Sequence, residues 1–153
     1  MNISIHSRAS VEQMLHTGLP PRTAVISFFD PPQPRTKIRT MPPVDYSGKA
    51  ERVFQIALHD LDRDVLPSFG LSEETFLTEA DELAEFIHNA CRDGLDILCQ
   101  CEFGQSRSAA CAAAILQHFE KRGIEIFADY RYYPNQLVYH KIFDALERFP
   151  HAE

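Results

Sequence analysis

The stretch Ile97-Leu98-Cys99-Gln100-Cys101-Glu102-Phe103-Gly104-Gln105-Ser106-Arg107-Ser108 decides how the rest of the chain is read. Asp96 to Gln100 reads as a strand, and Gly104 marks a turn. Ser106 to Arg122 is rich in alanine, lacks Gly and Pro, and meets Gly123, so it reads as a helix. A turn entering a helix aims several unpaired backbone N–H groups at one point, and the helix dipole adds positive potential there. A dianionic phosphate fits such a cradle. The cradle here runs through Glu102, Phe103, Gly104, Gln105 and Ser106 to Arg107. Gly104 permits backbone conformations closed to other residues. Arg107 offers a planar fork that clamps two phosphate oxygens. The same field favours a thiolate: helix N-termini and cations lower a cysteine pKa from ~8.5 to ~3.5–7.5. Cys101 is therefore the candidate nucleophile. Ser108, one place past the arginine, is the candidate donor to its thiolate. Bare Cys-x5-Arg spacing arises by chance in about a quarter of chains of this composition. The added glycine, the serine after the arginine, the strand before and the helix after make the pattern specific.

Outward from this stretch, the pattern alternates between strands and helices. Ile3-Ser4-Ile5-His6 alternates and reads as a short edge strand. Ser10 reads as the cap of a short helix over Val11 to Leu15. Ala24 to Phe29 reads as a buried strand ended by Asp30-Pro31, and Val53 to Leu58 as a second. Thr78 and Asp81 have capping-box spacing. Behind them Ala80, Leu83, Ala84, Ile87, Ala90 and Cys91 follow a helical period, stopped by Gly94. Asn135 to Phe149 reads as a last amphipathic helix through Leu137, Val138, Ile142, Leu146 and Phe149. Strands separated by helices indicate an α/β sandwich, and the length suits one domain over residues 1–153. Seven of the ten prolines lie at or before Pro43, so residues 30–50 read as a long surface loop around the basic stretch Arg35 to Thr40.

Composition narrows the function classes. Fifteen Lys+Arg against 22 Asp+Glu give a net charge of −7. No block of basic residues stands out, which argues against non-specific binding to nucleic acid or anionic lipid. The longest apolar run, Ala109 to Leu116, is far short of the ~20 residues that span a bilayer. No basic segment followed by an apolar core opens the chain, so no signal peptide is expected. The cysteines Cys91, Cys99, Cys101 and Cys111 match no zinc spacing. Free thiols in the cytoplasm are the expectation, with no metal and no cofactor. Cys91 and Cys111 read as core residues. Cys99 would share a strand face with Cys101, but a bridge between residues i and i+2 of a strand is strained.

A phosphate ester also needs its leaving oxygen protonated. The strand Val53 to Leu58 runs into His59-Asp60-Leu61-Asp62-Arg63-Asp64. The C-terminal end of a strand in an open α/β sheet is where such an acid sits. Asp60 comes first off the strand and is the choice; Asp62 is the second.

These residues resemble the cysteine-dependent protein tyrosine phosphatase superfamily, whose signature is H-C-x5-R-[ST], and most of all its compact bacterial dual-specificity-like members. Cys101-Glu102-Phe103-Gly104-Gln105-Ser106-Arg107-Ser108-Ala109-Ala110 is similar to their C-E-x-G-x-S-R-S-A. Phe54 to Asp62 resembles their strand and acid loop. Tyr133-Pro134-Asn135 through Tyr139 resembles the stretch before their last helix, with Tyr133 in place of an arginine. The resemblance implies a mostly parallel sheet of four or five strands with helices on both sides. It implies a metal-free, two-step hydrolysis of a phosphorylated protein or small phosphomonoester. In it Cys101 attacks phosphorus, Asp60 protonates the leaving hydroxyl, and Arg107 with the loop N–H groups holds the phosphoryl oxygens. Gln100 departs from the signature histidine. That departure implies an altered Cys101 pKa, and it is the one feature favouring an alternative: an inactive relative that binds phosphorylated ligands without turnover.

Overall fold

Two strands that are buried on both faces take the centre of the sheet, because a strand flanked on both sides has neither face open to solvent. The computed structural model describes residues 1–32 and 40–149. In it, β2 (Thr23–Phe29) and β4 (Asp96–Cys101) are adjacent and buried along nearly their whole length. The edges are β1 (Ile3–Ser7) beside β4 and β3 (Arg52–Ala57) beside β2, giving the order β1-β4-β2-β3. Every pairing is parallel. The sheet is thus the expected one, at four strands among the described residues. The strand read over Val53 to Leu58 corresponds to β3, but it is not buried. As an edge strand it alternates between half-buried or buried and exposed positions.

The alternation of side chains along β2 and β4 splits the core into two layers. Ala24, Ile26, Phe28, Ile97, Cys99 and Cys101 face α2 (Ala80–Arg92), α3 (Arg107–Glu120) and α5 (Gln136–Arg148). Val25 and Leu98 face the other way, where Val11 of α1 (Arg8–Thr17), Val44 and Tyr46 cover them. Helices therefore lie on both sides of the sheet. Buried from Arg107 through Leu116, α3 lies between the sheet and α5. A helix enclosed all round must be apolar all round, and its alanines keep the packing close.

Several local expectations are corrected. Ser7 caps α1, not Ser10: its hydroxyl accepts from the Ser10 N–H at 3.1 Å, and the helix starts at Arg8. The Thr78–Asp81 capping box does not form. The Thr78 hydroxyl donates to Glu79 Oε1 at 2.9 Å, and α2 begins without a side-chain cap. α3 stops two residues before Arg122, on Lys121 in the left-handed region. Gly123 instead starts α4 (Ile124–Phe127), at a spot where a Cβ would come within 2.8 Å of the Ala113 carbonyl oxygen. The short α4 and a 3-10 segment at Arg63–Phe69 were not foreseen; both are too brief to show a period. The loop reading of residues 30–50 needs revision in its second half, since Val44 and Tyr46 are core residues. Most of the basic stretch Arg35 to Thr40 lies outside the described residues. Among the described residues, no helix is long and apolar enough to cross a membrane.

Parallel strands finish on one side of the sheet. Ser7, Phe29, Ala57 and Cys101 therefore bring Arg8, Asp30, Asp60 and the loop after Cys101 to a common edge, where ligands of open α/β sheets bind.

Candidate functional site

β4 delivers Cys101 to the sheet edge, and α3 begins six residues later. The loop between them turns at Gly104, whose φ is +68°. It also passes so close to β1 that a Cβ on Gly104 would stand 2.6 Å from the Ser7 backbone nitrogen. No other residue fits, both for conformation and for space. The Arg8 N–H donates to the Glu102 carbonyl at 3.1 Å, and the buried Arg8 side chain donates to Glu102 Oε2 at 2.9 Å and to the Pro42 carbonyl. Glu102 thus spends its side chain anchoring the loop. Among the described residues, no protein carbonyl takes the backbone N–H groups from Phe103 to Arg107. Phe103 itself is 78% exposed on the loop surface.

The Cys101 thiol is only 2% exposed, and its Sγ lies 3.0 Å from Ser108 Oγ. Burial pushes the thiol pKa up. The Ser108 hydroxyl and backbone N–H, the Arg107 charge and the Gly104 N–H together outweigh it, and the net direction is down. The contrast with the other thiols is local. Burial pushes Cys91 up to about 11 and holds Cys111 well above the usual thiol range. Cys91 is only partly buried, not the core residue expected, and contacts Met1 Sδ at 2.9 Å.

Arg107 is 4% exposed. Its Nη1 donates to Asp30 Oδ1 at 2.8 Å and to the Leu58 carbonyl at 2.6 Å. Its Nε is buried without a partner among the described residues. A buried donor left unpaired costs about 1–3 kcal/mol, so such a group marks a place for an acceptor.

Asp60 reaches the loop from the end of β3. Its Oδ1 accepts from the Ser106 hydroxyl at 2.7 Å and from Asn135 Nδ2 at 2.8 Å. Asn135 also donates to the Leu61 carbonyl at 2.9 Å and caps α5 through the Val138 N–H. Asp62 makes no such link. It lines, with Asp60, Ser106, Tyr132, Tyr133 and His140, a cleft of about 780 Å³ that opens beside the loop. The Tyr133 N–H donates to the Gln105 carbonyl at 2.8 Å, which ties this wall of the cleft to the loop.

Gln100 points to the opposite face from Cys101. Its Oε1 accepts from Ser27 Oγ at 2.5 Å and from the Tyr46 hydroxyl at 2.9 Å, and its Nε2 donates to the Cys101 carbonyl at 3.1 Å. All four sequence-selected residues, Cys101, Arg107, Ser108 and Asp60, come together. Sequence reasoning missed the roles of Asp30, Asn135, Arg8, Ser27 and Tyr46. Asp30 follows a strand directly, the same signal that selected Asp60.

No family model matches the chain, and no curated protein matches its sequence. Solved structures do. DUSP15 superposes with a TM-score of 0.56 at 17% identity, over 99% of this chain and 94% of that one. Tk-PTP in its active form gives 0.56 at 14% identity, over 97% and 94%. Human DUSP28 gives 0.53 at 15% identity, over 95% and 91%. The chain has the fold of these phosphatases.

Two outcomes follow. Alkylation of Cys101 by iodoacetamide tracks the thiolate, which forms as pH rises through its pKa. Ser108→Ala removes a hydrogen bond that favours the thiolate, so its alkylation curve moves to higher pH than that of the native chain. An unmoved curve contradicts this assignment. Gln100→His offers one ring acceptor to two buried hydroxyls. It should lower stability by about 1–3 kcal/mol in urea unfolding, an effect that adding Tyr46→Phe should largely remove.

Proposed function

We propose that the chain is a metal-independent phosphomonoester hydrolase that works through a phosphocysteine on Cys101. The carrying observation is the pairing, at the two ends of one loop, of a down-shifted thiol with a buried Arg107 Nε that has no partner among the described residues. The phosphatase fold of the structural neighbours supports the reading.

The phosphoryl group sits in the loop, its oxygens taking the free backbone N–H groups and the Arg107 fork. These donors are fixed before charge develops, which is where most of the rate enhancement in phosphoryl transfer arises. The Cys101 thiolate attacks phosphorus as the bond to the ester oxygen breaks. Asp60, oriented by Ser106 and Asn135 through Oδ1, gives its proton to the departing oxygen from Oδ2. In the second step Asp60 takes a proton from water, whose oxygen attacks phosphorus. The sulfur leaves as a thiolate, and the Ser108 hydroxyl stabilises it. The alcohol or phenol part of the substrate, borne by a protein or a small molecule, occupies the adjacent cleft. Gln100 fits this scheme because its Nε2 donates to the Cys101 carbonyl while its Oε1 is held by the Ser27 and Tyr46 hydroxyls.

The test is hydrolysis of p-nitrophenyl phosphate in EDTA. Turnover should persist, vanish in Cys101→Ser and be blocked by vanadate. Asp60→Ala should lower kcat by about 10²–10⁴, and Asp62→Ala by far less. Turnover that dies with EDTA, or survives Cys101→Ser, contradicts the proposal. A folded chain that binds phosphate but hydrolyses nothing is the binding-only alternative.

A further inference from the structure

Arg107 is held at one end. Among the described residues its hydrogen bonds to the protein both leave from Nη1, one to Asp30 and one to Leu58. The acceptors come from neighbouring strand ends. Asp30 follows β2 and Leu58 follows β3, and the Leu58 N–H donates to the Phe29 carbonyl at 2.9 Å. This stitches the two anchors together. Nη1 lies on the side of the guanidinium away from the Nε–H. Holding it leaves the Nε–Nη2 edge, and that edge is the two-donor fork matching an oxyanion. Nε is the buried atom for which the described residues supply no acceptor.

We propose that Asp30 is a positioning residue that, through Nη1, turns the Nε–Nη2 edge of Arg107 toward the phosphoryl group. The inference rests on the phosphate-binding reading of the loop. Asp30 pairs with the Arg107 guanidinium, whereas Asp60 is bonded to the neutral donors Ser106 and Asn135. The Asp30 side chain is 45% exposed, so replacing it leaves no cavity in the core. The Leu58 carbonyl survives any side-chain change. Alone it fixes one contact and leaves the long arginine free to pivot about it, and a 1 Å misplacement of a clamping group is costly.

Two variants separate the hydrogen bond from the charge. Asp30→Ala removes both. Asp30→Asn removes the charge but keeps an oxygen that accepts from Nη1. Vanadate binding is measured by calorimetry, beside thermal unfolding and the pH dependence of Cys101 alkylation. Asp30→Ala should bind vanadate about tenfold more weakly, equivalent to about 1.4 kcal/mol, with kcat/KM for p-nitrophenyl phosphate reduced at least as much. Asp30→Asn should restore vanadate binding to within about threefold of the native chain, as expected if one hydrogen bond does the positioning. Both variants should remain folded with one cooperative transition, Asp30→Ala the less stable because it takes a partner from a buried guanidinium. Both should alkylate at lower pH than the native chain, because the Arg107 charge is no longer offset. Native or tighter vanadate binding in Asp30→Ala overturns the proposal and makes Asp30 a competitor for Arg107. Equal impairment of both variants overturns it too. Binding is read without turnover. A chain that holds vanadate yet hydrolyses nothing therefore fails the hydrolase reading without touching the comparison of Asp30 variants.

Discussion

Favouring the charged form of a thiol that the fold buries is the constraint that the rest of this structure answers to. Cys101 is nearly inaccessible, and burial by itself favours the neutral thiol. The groups that outweigh burial and turn the net shift downward all come from the seven residues that follow β4: the Gly104 N–H, the Arg107 charge, and the hydroxyl and N–H of Ser108. They converge because the chain turns sharply from strand to helix. That turn exists only because Gly104 adopts a left-handed conformation against the backbone of His6 and Ser7. The edge strand β1 is thus more than a flank. It is the surface on which the loop is cast, and Arg8 clamps the loop there through Glu102.

Behind the loop, a second layer of polar contacts centres on Gln100 and reaches the Cys101 carbonyl. Gln100 has a carbonyl and an amide, and the structure uses both. Two hydroxyls, from Ser27 and Tyr46, converge on Oε1, while Nε2 supports the carbonyl of Cys101. In a buried site each of these groups would be costly if left alone. Burial accordingly pushes the Tyr46 hydroxyl far above the usual phenol range. Gln100 is therefore held by partners on β2 and on the segment after residue 40.

The sequence made local features legible and distant pairs illegible. The strand, turn and helix around Cys101 lie within a dozen residues, and hydrophobic period, glycine placement and dipole physics suffice to read them. Of the two central strands, β2 is visible as an apolar run, whereas the other run read as buried, Val53 to Leu58, becomes the edge strand β3. Asp60 is reachable by the rule that functional groups follow strand ends; Asp30 answers to the same rule, but Asp-Pro after an apolar run reads first as a strand terminator. What escaped were contacts between residues far apart in the chain. Arg107 and Asp30 are separated by 77 positions, Asn135 and Asp60 by 75, and Gln100 and Tyr46 by 54. No periodicity encodes such pairs; they follow from strand order. Caps failed for a related reason. Ser7 and Ser10 are equally good capping residues, and only the strand register of β1 with β4 fixes where α1 begins.

The most direct measurement is the acid-quenched reaction of the chain with an aryl phosphate, digested and mapped by mass spectrometry. A phosphoryl group on the peptide carrying Cys101, more abundant in Asp60→Ala when its second step is slowed further than its first, is the predicted result. Turnover with no phosphorylated peptide, or with the phosphoryl group on His59 or another side chain, would contradict a phosphocysteine mechanism outright.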